Sequence, residues 1–163
     1  MKWFEVKTNL KPNDKQWILK IGDVITEPNW SIRPFRLNEE YLNKISYLNV
    51  PKPEYASIIM VPAKTVCKTH IDNKAAEAGL KQRITAINIP IKVHHTSMFQ
   101  YMKNDEVIES IDLKTAKCWR VDIPHRVDNS LSPFNRVVLS LSYTQTVGEL
   151  NEIYSSSQGI SYS

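Results

Sequence analysis

The chain is punctuated into short β-rich runs, and that spacing restricts its fold more than any other property. Runs at 16–25, 55–61, 65–71, 83–92, 96–102, 106–111, 116–121 and 135–143 are rich in β-branched, aromatic and alternating apolar residues. Clusters of Pro, Asn, Asp and Lys separate them at roughly the 8–12-residue spacing of sandwiches and barrels. The pattern predicts an antiparallel β domain. One helix is expected after Asn38, a candidate N-cap: Glu39 and Glu40 follow, and Tyr41, Leu42, Ile45 and Leu48 form an i, i+3, i+4, i+7 apolar face. That helix should lie against the outside of the sheet. A weaker helix is expected from about Val147, carrying Leu150, Ile153 and Tyr154, before a Ser-rich tail from Ser155.

A length of 163 residues with neither internal repeat nor linker points to a single domain, 1–163, with one core. Its expected division is an N-terminal part (1–54) of strands and a helix that buttresses the core, a β core (55–143) and a C-terminal helix and tail (144–163). The core segment is about what a minimal eight-stranded barrel needs.

Composition removes several classes of function. The four glycines, Gly22, Gly79, Gly148 and Gly159, are too scattered for a P-loop or a dinucleotide-binding turn. The net charge of +4 comes from lysines and arginines spread along the chain, not from a basic stripe interleaved with aromatics, so no nucleic-acid partner is expected. An anionic small co-substrate is compatible with it. Cys67 and Cys118 form neither a disulfide framework nor a CxxC zinc spacing, and read as two buried reduced thiols of an intracellular, cytoplasmic protein. The start, Met1-Lys2-Trp3-Phe4-Glu5-Val6-Lys7, has charges where a signal peptide needs an apolar segment. No run is long enough to span a bilayer, so no membrane partner is expected. Oligomeric state is not legible.

Chemistry concentrates at His70-Ile71-Asp72. On a strand, residues i and i+2 share a face, so this imidazole and carboxylate can converge on one cation; a strand-end His bonded to a turn Asp is the structural alternative. His125 follows 55 residues later, leaving room for four or five short strands, and Arg136 comes 11 residues after it. Along 136–142, Val137, Leu139 and Leu141 occupy one face, while Arg136, Val138, Ser140 and Ser142 give the other an unusually polar character. A buried arginine needs an anion, unless Arg136 serves in a structural ion pair with Asp122 or Asp128. Two His and one carboxylate leave positions open on a metal, the facial arrangement of non-haem Fe(II) oxygenases. The guanidinium fork matches the distal carboxylate of 2-oxoglutarate.

The stretch Trp119-Arg120-Val121-Asp122-Ile123-Pro124-His125-Arg126-Val127-Asp128-Asn129-Ser130, followed by Arg136-Val137-Val138-Leu139, resembles the distal half of the aspartyl/asparaginyl β-hydroxylase-like members of the Fe(II)/2-oxoglutarate oxygenase superfamily. Arg83-Ile84-Thr85-Ala86-Ile87-Asn88-Ile89-Pro90-Ile91 is similar to the strand after the first metal motif in that superfamily, prolyl 4-hydroxylase-like members included. The resemblance covers residues 55–143. It implies a mainly β double-stranded β-helix, of the jelly-roll or cupin kind, with one or two supporting helices. It also implies His70, Asp72 and His125 as iron ligands and Arg136 as the 2-oxoglutarate anchor. Asn88 and Ser140 are further candidate contacts to the co-substrate. The chain departs from the pattern in three places. Asp72 supplies a carboxylate that β-hydroxylases often lack, Val138 breaks the Arg-x-Ser motif of other branches, and Ala86 and Asn88 stand where β-hydroxylases carry Arg-x-His.

The implied activity is hydroxylation of an unactivated C–H bond in a peptide side chain or small molecule, with Fe(II), 2-oxoglutarate and O₂. Two other readings stand beside it: a metal-dependent cupin enzyme that does not use 2-oxoglutarate, and a non-catalytic ligand-binding jelly roll. Among the remaining polar residues, His94 and His95 read as a surface loop and Arg83 as a solvated strand end. Tyr101 either lines or fills the interior, Trp119 reads as core, and Asn129 as a brace for the His125 loop.

Overall fold

The computed structural model describes residues 1–24, 33–72 and 82–157. The strands are β1 (Trp3–Val6), β2 (Arg33–Arg36), β3 (Tyr55–Val61), β4 (Thr65–Val66), β5 (Thr85–Lys92), β6 (Met98–Lys103), β7 (Glu106–Asp112), β8 (Ala116–Arg120), β9 (His125–Asn129) and β10 (Arg136–Tyr143). They form a six-stranded sheet of order β1-β8-β5-β10-β3-β2 and a four-stranded sheet of order β4-β9-β6-β7, and every pairing is antiparallel. The helices are α1 (Pro12–Val24), α2 (Glu39–Lys44) and α3 (Val147–Ser157).

Alternation along β10 divides the interior into two cores. Val137, Leu139, Leu141 and Tyr143 join Ile18 of α1, Ile58, Ile87 and Leu150 in a cluster between the large sheet and the helices. Val138 turns the other way, into a cluster between the two sheets with Val61, Cys67, Phe99, Tyr101, Trp119 and Val127. The polar side chains of β10 therefore face the space between the sheets, as their spacing predicts. Strands β1 and β7, at the outer edges of their sheets, are tied by side chains: Trp3 Nε1 donates to Glu109 Oε1 at 2.9 Å, and Lys2 lies 3.7 Å from the same carboxylate.

Two local expectations change. Of the run 16–25, residues 16–24 are helix and not strand, and Ile25 lies outside the described residues. Trp17, Leu19 and Ile21 alternate in strand fashion, but Pro12 opens a helix at the position that tolerates it, Asp14 sits in its first turn, and Ile18 and Gly22 line one face one turn apart. A Cβ on Gly22 would lie 2.5 Å from Val137 Cγ1, so only glycine lets α1 come this close to β10. The helix after Asn38 does form, with Asn38 Oδ1 accepting from the Tyr41 amide at 3.1 Å. It stops at Lys44, however, and Ile45 and Leu48 are buried from the turns that follow. The short strands β1, β2 and β9, not read from the sequence, complete the sheets. None of the helices among the described residues is long and apolar enough to cross a membrane.

Candidate active site

The predicted run 65–71 is a regular strand only at Thr65–Val66, yet its continuation still travels along β9. The Cys67 amide donates to Val127 O at 2.9 Å. His70 and His125 then exchange amide hydrogen bonds at 2.9 and 3.0 Å in an isolated antiparallel bridge. That bridge brings together two histidines 55 positions apart in the chain. Asp72, two residues on, is fixed by its amide to Val121 O at 3.0 Å, and Gln82 Nε2 donates to its carbonyl at 2.7 Å.

One ligand atom from each of His70, Asp72 and His125 lies within 4.8 Å of the others. His70 Nδ1 is 2.7 Å from Lys68 O, and His125 Nδ1 is 2.7 Å from Ile123 O. A carbonyl has no hydrogen to give, so both Nδ1 atoms must donate, and in the neutral rings both Nε2 atoms carry lone pairs. Each Nε2 nevertheless stands 3.1 Å from the same Asp72 oxygen, Oδ1. Three electron-pair donors aimed at one point repel unless protons or a cation lie between them. A divalent ion fits this donor set, and the two carbonyls are the partners that fix tautomer and ring orientation in metal-binding histidines. Phe99 stacks on the His125 ring at 5.1 Å and 19°, with Trp119 stacked behind it at 4.0 Å. His125 is nearly enclosed, whereas about a third of the His70 side chain is exposed, so the cluster opens on one side.

Charge around Asp72 is arranged to keep it ionised. Burial alone would raise its pKa, but the neighbouring Arg83 guanidinium and the hydrogen bonds to His125 and His70 hold it far below the ordinary carboxylate range. Burial likewise opposes protonation of His70, yet its bonds to Asp72 and to Lys68 O prevail and raise its pKa above 6.5.

Arg83 is not the solvated strand end expected from sequence. It is buried, its Nη1 donates to Ser142 Oγ at 3.0 Å, and its Nε lies 2.9 Å from Asp72 Oδ2. The Nε–H direction misses that oxygen, so the contact is an ion pair without a hydrogen bond. The clue lay in the sequence, since a charged residue just before an apolar strand at the mouth of a barrel has a burial option.

Deeper between the sheets lies Arg136, 2% exposed, with Nε and Nη2 lacking any hydrogen-bond partner among the described residues. Its two suggested structural partners are engaged elsewhere: Asp122 in a bidentate pair with Arg120, and Asp128 with the Ser130 amide and hydroxyl. Burial pulls its pKa down from 12.5 to about 10. Asn88 and Ser140 are register partners on adjacent strands, and Asn88 Oδ1 and Ser140 Oγ are also buried without hydrogen-bond partners among the described residues. Asn129 braces the approach to Arg136 more than the His125 loop: its Nδ2 donates to Val61 O, Pro62 O and Phe134 O at 3.0–3.3 Å.

The other candidates are structural. Tyr101 is buried and donates to Arg120 O and Lys2 O, so it fills the core, as does Trp119. His94 and His95 lie in the β5–β6 turn, where His94 pairs with Thr96 and packs edge-on against Phe134.

No family model matches the sequence, and no curated protein matches it. Solved structures do match the fold. The collagen prolyl hydroxylase of Paramecium bursaria Chlorella virus-1, solved in complex with 2OG, aligns with a TM-score of 0.50 at 9% identity over 87% of this chain and 95% of that one. A Pseudomonas putida prolyl-4-hydroxylase aligns with a TM-score of 0.53 at 9% identity, over 88% of this chain and 93% of its own. The fold is therefore the double-stranded β-helix of those enzymes.

Proposed function

We propose that this chain is an Fe(II)- and 2-oxoglutarate-dependent oxygenase that hydroxylates an unactivated C–H bond. His70, Asp72 and His125 hold the metal, and Arg136, Asn88 and Ser140 receive the co-substrate. One observation carries the reading: a buried guanidinium with two nitrogens unpaired among the described residues faces the same interior as a His-Asp-His cluster. A buried cation with unmet donors is costly, and a carboxylate is the ligand whose charge and fork geometry relieve it. That separates the reading from a cupin without 2-oxoglutarate, which has no use for an unpaired Arg136, and from a plain binding module, which has no use for the converging ligands.

Held by His70, Asp72 and His125, an iron ion would supply O₂ activation coupled to oxidative decarboxylation of 2-oxoglutarate. The protein's own residues supply geometry. The carbonyls of Lys68 and Ile123 hold the imidazoles with Nε2 inward, Phe99 fixes the plane of His125, and the face of β10 bearing Ser140 and Arg136, which it shares with Val138, binds and orients the anionic co-substrate. The prolyl hydroxylase fold favours a peptide or protein side chain as substrate, with a free amino acid or other small molecule as the alternative. A single-domain, cytoplasmic protein without nucleic-acid or membrane partners completes the reading, supported by two buried free thiols.

Anaerobic titration of the Fe(II) protein with 2-oxoglutarate tests it. The expected result is a weak visible charge-transfer band that Asp72→Ala abolishes and Arg136→Ala shifts to much higher 2-oxoglutarate concentration. No band, or a band indifferent to both substitutions, refutes the proposal.

A further inference from the structure

The two oxygens of Asp72 have separate neighbours. Oδ1 faces both imidazoles at 3.1 Å, whereas Oδ2 faces Arg83 Nε at 2.9 Å. Arg83 is itself held, since Nη1 donates to Ser142 Oγ at the far end of the strand that carries Arg136 and Ser140. A carboxylate swings readily between one-oxygen and two-oxygen binding, and the difference matters at an octahedral site with six positions. Two imidazoles and one carboxylate oxygen fill half of them. A keto acid chelate takes two more and leaves one. If both Asp72 oxygens bound, the chelate would close the site.

We propose that Arg83 is a positioning residue: it withholds Asp72 Oδ2 from the metal and so keeps the last coordination position open. The inference rests on the metal site proposed above. Arg83 is suited to the task because its guanidinium spans from Ser142 to Asp72, fixing the direction of the pull as well as its sign, which a flexible ammonium does less well.

The number of exchangeable waters on bound Mn(II), read by water-proton relaxation, tests this without turnover. Wild type should hold about three, and Arg83→Gln about two, so the metal-bound contribution falls to about two-thirds. With 2-oxoglutarate added, wild type keeps about one and Arg83→Gln about none. Mn(II) affinity of the variant should equal or exceed that of wild type, because a positive charge next to the metal has been removed. Arg83→Lys should regain part of the lost relaxation. Ser142→Ala, which frees Nη1 but leaves the charge pair, should fall between, and it carries the test if Arg83→Gln does not fold. Equal water counts in wild type and variants overturn the inference alone. Weaker Mn(II) binding by Arg83→Gln with an unchanged count per bound ion does the same, reducing Arg83 to a structural prop. A wild-type protein that binds no Mn(II) overturns the metal reading and the inference together.

Discussion

Replacing Arg136 with methionine should make the ligand-free protein more stable while destroying its affinity for 2-oxoglutarate. The side chain is buried between the sheets with Nε and Nη2 unpaired among the described residues. Two routes give the scale of the cost. A fall in pKa from 12.5 to about 10 corresponds to ~3 kcal/mol of penalty on the charged form at about 1.4 kcal/mol per pKa unit. Two orphaned buried donors at about 1–3 kcal/mol each give a total of about 2–6 kcal/mol. Methionine has a similar unbranched reach, carries no charge and fills irregular space. Replacing buried charge by apolar groups of similar size is often stabilising by about 1–4 kcal/mol. A gain of about 2 kcal/mol is the reasonable expectation, and for a chain of this size it raises the melting temperature by about 4–8 °C. Scanning calorimetry on the metal-free protein measures this directly. In the Mn(II) form, saturating 2-oxoglutarate should raise the wild-type melting temperature further, since a hundredfold excess over Kd adds about 2.7 kcal/mol. The Met variant should show no such rise. A lower melting temperature for metal-free Arg136→Met would mean that the guanidinium is already satisfied by the protein, and the case for an anionic co-substrate would fall with it.

Two further outcomes follow from packing. Gly22→Ala should destabilise despite its better helix propensity, because the new Cβ meets a buried, β-branched Val137 at 2.5 Å; overpacking of this kind costs about 1–3 kcal/mol. Adding Val137→Ala to the same chain should restore part of the loss in thermal melts, and failure to do so would refute the close-approach explanation. Asn129→Ala strips a donor from three backbone carbonyls and should cost about 1–3 kcal/mol. In calorimetric titrations it should weaken 2-oxoglutarate binding several-fold with Mn(II) affinity little changed, and a selective loss of Mn(II) would place its influence on the metal end instead.

The strands were legible where alternation is strong. Residues 136–143 show both faces, and the structure gives each the environment its chemistry asks for. The same rule misled at 16–24, where Trp17, Leu19 and Ile21 mimic alternation but Pro12 starts a helix that Ile18 and Gly22 seat against the large sheet. Strand β9 escaped notice because His-Arg-Val-Asp-Asn reads as polar loop. Its inward set is two polar residues flanking Val127, since it lines a site and not only a core. Spacing singles out His70 with Asp72, and the resemblance adds His125, but the bridge that brings the two histidines together is a long-range pairing that no local pattern contains. Arg83 was missed for the same reason: its partners, Asp72 and Ser142, lie 11 and 59 residues away and become neighbours only when the strand ends meet.

The position of β10 bears on how the molecule is made. It is the last strand among the described residues, yet it sits between β5 and β3, which touch the rest of their sheet on one side only until it arrives. During synthesis the polypeptide must carry two unpaired strand edges, a known invitation to aggregation, until residues 136–143 emerge. The insertion must also find its register. β5 carries an extra residue opposite the step from Val137 to Val138, and a slip by one would turn Arg136 and both serines toward α1 and send the leucines between the sheets. Correct entry of this strand completes the large sheet and delivers the face proposed to bind the co-substrate in the same event. Under the proposed function, affinity for a dicarboxylate would therefore report on proofread folding, because only a chain in which β10 has docked in register would hold the ligand.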